Sequence, residues 1–110
     1  MAMGDYLRET GEYEESEAMF MKSLDLNPIS EAYLGLGWLY YKQHKYIEAE
    51  KAFNSYLEKI RPKSEVYLGL GYTYLSQEKY QQAERAFEES VSLNPVGGGK
   101  EALVELKNLY

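Results

Sequence analysis

His44 is the only histidine in the sequence, and there is no cysteine. Imidazole is the side chain best matched to proton transfer near neutral pH. One histidine in the polar stretch Gln43-His44-Lys45 cannot bring a nucleophile, a base and an orienting carboxylate to one place. The lack of cysteine excludes disulfides, thiolate metal sites and cysteine nucleophiles. Glu12, Glu14, Glu15 and Glu17 concentrate carboxylates, but a calcium loop needs alternating oxygen ligands and a glycine turn. These four are spread around a helix start. Gly35-Leu36-Gly37 begins like a phosphate-cradling fingerprint, yet no strand precedes it and no third spaced glycine follows. The expectation is no metal, no cofactor and no catalysis.

The chemistry that remains is non-covalent. Twelve tyrosines stand against three phenylalanines and one tryptophan, and tyrosine pairs an apolar ring with a hydroxyl, which suits half-buried seams and binding surfaces. The net charge of −6 argues against nucleic acid, which needs clustered Lys and Arg facing phosphates. Residues 1–29 carry seven acids and two bases, whereas residues 30–63 carry four acids and six bases. This asymmetry reads as a solvated exterior, with a dipolar partner as the alternative. No stretch approaches the ~20 apolar residues of a membrane span. Met1-Ala2-Met3-Gly4-Asp5 lacks the basic start and apolar core of a secretion signal. A cytoplasmic protein that touches neither membrane nor nucleic acid is expected.

What positions the aromatic residues is a repeat. Shifted by 34 residues, Ser30–Leu57 falls on Ser64–Val91 with fifteen of 28 positions identical, among them Tyr33/Tyr67, Leu36/Leu70, Gly37/Gly71, Tyr40/Tyr74, Tyr46/Tyr80, Ala49/Ala83 and Phe53/Phe87. An earlier segment joins less perfectly: Gly4, Tyr13, Phe20, Leu24 and Leu26-Asn27-Pro28 answer Gly71, Tyr80, Phe87, Val91 and Leu93-Asn94-Pro95. Each unit reads as two helices. Ser30 and Ser64 are expected as N-caps, each followed by a Glu that favours the positive helix start. Apolar spacing then runs to about Gln43 and Gln77, and a second helix begins near Tyr46 and Tyr80. Pro28, Pro62 and Pro95 stop the second helices.

This pattern of aromatic, Leu-Gly, Tyr, then aromatic, Ala, Phe and finally Pro over 34 residues resembles the tetratricopeptide repeat. The resemblance covers roughly residues 4–95 and implies an all-α fold: helix hairpins stacked as a short right-handed α-solenoid. One domain is expected over 1–110, with a first repeat incomplete at its start (1–29), repeats at 30–63 and 64–97, and a C-terminal capping helix at 98–110. Val96-Gly97-Gly98-Gly99 reads as a flexible linker before that helix; an alternative is that the helix docks on a neighbouring chain. Three departures from the pattern stand out. Pro62 comes one residue late, Ser16 replaces a small Ala, and Tyr56 occupies a position usually small.

The resemblance implies a concave groove lined by the first helices. The run from Tyr33 to Tyr41 is apolar without a break, and a helix apolar all round must be covered on several sides. One stripe, Tyr33, Leu36, Gly37 and Tyr40, is expected against the paired helix. A second falls on the implied groove positions: Leu34, Gly35, Trp38 and Tyr41, then Leu68, Gly69, Tyr72 and Leu75. Gly35 and Gly69 each cost about 1 kcal/mol relative to Ala within a helix, so they are expected either to form notches for a ligand or to relieve crowding between helices. The function expected is a protein–protein interaction module that takes a peptide or protein segment by apolar anchors, with Trp38 and Tyr72 as main contacts. The acidic tail of heat-shock chaperones is not an expected partner, because the matching positions hold Met1, Asp5, Gly35, Glu65 and Gly69, none of which grips a carboxylate. Two alternatives stay open: a self-assembling scaffold that forms homo-oligomers through its terminal helices, and an engineered repeat with no natural ligand.

Overall fold

Two turns of identical construction set the architecture. His44 and Glu78 adopt positive φ, at 63° and 62°, the left-handed conformation that closes a helix C-terminus. The His44 and Lys45 N–H groups donate back to the carbonyls of Tyr41 and Tyr40 at 3.0 and 2.9 Å. Those of Glu78 and Lys79 donate to Leu75 and Tyr74, both at 2.9 Å. These bonds satisfy carbonyls that a helix end leaves open and reverse the chain into the next helix.

The computed structural model describes the backbone of residues 2–27 and 31–109 and the side chains of 12–27 and 31–109. The described residues form six helices: α1 (Ala2–Leu26), α2 (Ala32–Lys42), α3 (Tyr46–Lys59), α4 (Ser64–Ser76), α5 (Tyr80–Leu93) and α6 (Gly99–Lys107). The protein is an all-α helical repeat solenoid. Hairpins α2–α3 and α4–α5 stack through α3 and α4, α1 packs on α2, and α6 packs on α5. Direct contacts of α2 with α4 and of α4 with α6 place these three helices side by side in one layer.

Ala49, Ala52 and Phe53 on α3, and Ala83, Ala86 and Phe87 on α5, form the buried faces of the second helices. Small residues let the helices of a hairpin approach, and the two phenylalanines, both fully buried, fill the space between them. Tyr56, the large residue at a usually small position, is also fully buried. Its hydroxyl escapes the interior by donating to Glu31 Oε1 at 3.0 Å. Thr73 is buried and returns its hydroxyl to the Gly69 carbonyl at 2.7 Å.

Three features differ from the sequence expectation. Ser64 does not cap α4; its hydroxyl lies 2.9 Å from both the carbonyl and the hydroxyl of Ser90, tying the start of α4 to the end of α5. The other expected cap, Ser30, lies outside the described residues. The glycine run is an ordered turn: the Gly97 N–H donates to the Asn94 carbonyl at 3.1 Å, and Gly99 is the buried first residue of α6, where an added Cβ would stand 2.8 Å from Val91. Finally, α1 is one 25-residue helix that continues through Gly11, where the repeat register places a turn. Helical continuation pairs the backbone groups around Gly11 locally, whereas a turn there needs a surface for the reversed segment to close on.

Candidate functional site

Four glycines decide the depth of the face that α2 and α4 present. A Cβ added at Gly37 or Gly69 would overlap the ring of Phe53, one at Gly71 would overlap Phe87, and one at Gly35 would overlap Phe20. Each phenylalanine leans into the first helix of its own hairpin or of the next one, closer than a Cβ allows. Phe53 does both. The space expected as ligand notches at Gly35 and Gly69 is therefore occupied by the protein's own rings, so these two glycines serve helix packing. Leu34, also expected in the groove, is buried in the cluster of Phe53, Tyr56 and Val66.

The remaining five residues of the expected groove are half-buried, and they divide into two groups. Trp38 and Tyr41 stand together on α2, ring centroids 5.8 Å apart and nearly perpendicular. Trp38 also meets Phe53 edge-on at 5.6 Å, a favoured arrangement of aromatic quadrupoles. Leu68, Tyr72 and Leu75 pack around Phe87, Ala102 and Leu106, so α6 covers this half of the face. The Tyr72 ring lies 5.2 Å from Phe87. Burial, assisted by the negative charge of Glu105 on α6, raises its hydroxyl pKa.

The stripe expected against the paired helix does face it, with Gly37 receiving the Phe53 ring of α3, and its tyrosines also line clefts there. Tyr33, Leu36 and Tyr40 meet Met21 and Leu24 of α1 and Ala52 of α3 in a cleft of about 370 Å³. Tyr67, Leu70 and Tyr74 meet Leu57 of α3 and Ala86 of α5 in its counterpart of about 240 Å³. Tyr40 donates to Glu17 Oε2 at 2.7 Å; burial first, and that carboxylate second, push its pKa up to about 12. Among the other residues considered for chemistry, exposed His44 places Nδ1 2.7 Å from the Tyr46 hydroxyl.

The model of one tetratricopeptide repeat family matches residues 1–65, more than half the chain, and that of a second matches residues 64–95. The chain belongs to the tetratricopeptide repeat family. No curated protein matches it. Tetratricopeptide repeats are generally protein–protein interaction modules, and the family is typically a non-enzymatic scaffold. No described helix of this tetratricopeptide domain is long and apolar enough to cross a membrane.

Sequence reasoning missed the Tyr33/Tyr40 and Tyr67/Tyr74 clefts because helical spacing gives the direction of a stripe but not which neighbour covers it. A signal was available. Tyr is the residue that tolerates an apolar body and a wet hydroxyl, and the four tyrosines recur as pairs at two repeat positions. In the same way, the 34-residue spacing of Phe53 and Phe87 matches that of the two Gly-Leu-Gly triplets, but only the fold shows which glycine receives which ring.

Proposed function

We propose that this tetratricopeptide domain binds a protein segment that inserts apolar anchors against Trp38 and Tyr41, with Tyr72, Leu68 and Leu75 at the edge of α6 extending the surface. One observation carries the reading: Trp38 stays partly exposed on the first-helix layer while its ring is held edge-on by Phe53 and Tyr41. An aromatic anchor already fixed in one orientation loses little freedom on binding, which favours affinity. The partner is apolar rather than an acidic tail, since Glu65 is exposed on α4 and Gly69 is buried. It is a protein rather than nucleic acid, in keeping with the net charge of −6.

The sole tryptophan makes the test direct. Peptides with Leu, Phe or Trp anchors should shift Trp38 emission, and Trp38→Ala should weaken their binding by an amount typical of an interface hot spot, about 2 kcal/mol or more. Trp38 emission that is fully blue-shifted and inaccessible to quencher in the free protein would place that ring in the core and end the proposal.

A second reading, self-assembly, draws on the ends of the stack. Met19 and Leu26 on α1 are 72% and 80% exposed, and Val104 and Leu109 at the other end are each 61% exposed. Unlike apolar ends favour head-to-tail association, which is open-ended unless it closes a ring. Light scattering over a wide concentration range decides it, since a constant monomer mass excludes assembly.

A further inference from the structure

The clefts on the two sides of α3 are copies of one another. Tyr33, Tyr40 and Lys51 line the first, and the residues 34 positions on, Tyr67, Tyr74 and Arg85, line the second. Between them α3 is a ridge, giving Lys51 and Ala52 to the first cleft and Asn54 and Leu57 to the second. On α2, Tyr33 and Tyr40 are two turns apart, and Trp38 lies about 140° round the helix from Tyr33. The clefts therefore open on the opposite side of the first helices from the aromatic face.

The charge that recurs in both clefts is positive. Lys51 and Arg85 are exposed, and the ion pairs among the described residues use Lys63 and Lys79 instead. Each cleft also has one carboxylate, Glu48 in the first and Glu89 in the second. These are not equivalent, since their repeat counterparts are Gln82 and Ser55.

We propose that the two clefts form a second docking surface, which takes an amphipathic helix of a partner protein laid across α3, with an apolar side chain in each cleft and a carboxylate beside each base. The spacing selects a helix. The floors of the clefts, α2 and α4, touch within one layer, so their axes are about 8–10 Å apart. Residues seven apart on a helix are separated by about 10.5 Å and share a face. Three residues of extended chain cover about 10 Å, but an odd step turns the second side chain to the other face. The base stands on the far wall of each cleft, on α3 for the first and on α5 for the second. One turn of the partner helix beyond each anchor, about 5.4 Å, brings an Asp or Glu to it, and such complementarity fixes the register. With Trp38 on the opposite side, the domain joins two protein segments.

The test uses a fluorescein-labelled, stapled helical peptide with Leu residues seven apart and a Glu four residues beyond each, titrated with the full chain and read by anisotropy. Saturable binding is expected. A five-residue Leu spacing, which turns the second anchor about 140° away, should weaken it about tenfold or more. Lys51→Glu combined with Arg85→Glu, both at exposed positions, should weaken it about tenfold and favour a peptide with Lys in place of Glu. Trp38 emission should stay unchanged at saturation. No binding, or equal affinity at both spacings, overturns the proposal, and a shift in Trp38 emission places the peptide on the aromatic face and overturns it as well. A mass that rises with concentration in the native chain but not in the doubly substituted one gives the clefts to a second copy, with the same consequence.

Discussion

Phe53 shows how much a single ring asks of its neighbours. It enters between Gly37 and Gly69 on consecutive first helices, and the smallest side-chain addition at either glycine collides with it. Alanine is the better helix former by about 1 kcal/mol, but overpacking a filled core costs about 1–3 kcal/mol. Gly69→Ala is therefore expected to lower stability in denaturant titration despite its higher helix propensity. Gly98→Ala should be nearly neutral, because its Cβ would make ordinary contact with Leu68 at 3.4 Å. If Gly69→Ala instead leaves stability unchanged or raises it, helix propensity and not ring packing governs that position.

The tyrosine hydroxyls give the same scale a pH dependence. The Tyr56 hydroxyl bond, together with nearby Lys63, holds the Glu31 carboxyl below its ordinary 4.5. A depressed carboxyl pKa stabilises the fold above the unfolded value, and that contribution is lost as pH falls through the folded one. Acid unfolding of Glu31→Gln should accordingly show a flatter profile below about pH 4.5. Tyr40 behaves in the opposite sense. Its pKa of about 12, against an ordinary 10, gives stability that is complete below pH 10 and disappears as pH climbs towards 12. Tyr40→Phe should remove part of that alkaline loss and delete a late component from the tyrosinate absorbance titration.

Among the elements, α6 is the most consequential for function. It is short, yet Leu106 and Ala102 are fully or almost fully buried against Phe87 and Ala83, and it closes the part of the aromatic face at Leu68, Tyr72 and Leu75. A terminal element that covers an apolar face is what a stacked-repeat protein requires. Leu106→Ala should cost about 2–5 kcal/mol in thermal or denaturant unfolding. It should also increase dye binding to the newly exposed α4–α5 surface. An unchanged stability would show that α6 rests on the stack without supporting it. At the opposite end, α1 contributes Tyr13, Phe20 and Leu24 around Leu36 and Leu39. Phe20, the counterpart of two fully buried rings, stays half-open there.

In the whole molecule the core divides into three clusters along the stack instead of one centre. Stability in such an array is a sum of local and nearest-neighbour terms. Amide hydrogen exchange should be slowest in α3 and α4, which are flanked on both sides, and fastest in α1. Uniform protection across all six helices would instead indicate a single cooperative unit.

The match of residues 30–57 to 64–91 determined the all-α class, the hairpin boundaries near Tyr46 and Tyr80 and the membership of the repeat family, and the residues after the glycine run placed a last helix. These follow from local periodicity and from turn residues, which act over a few positions of the chain. The tertiary structure decided which partner each apolar side chain meets. Of the two roles open to Gly35 and Gly69 it chose helix packing, as seats for Phe20 and Phe53, and it put Leu34 in the core, brought α6 over Leu68, Tyr72 and Leu75, and left clefts beside Tyr33 and Tyr67. Such pairings depend on how helices distant in sequence are stacked, and helical spacing carries no record of that distance.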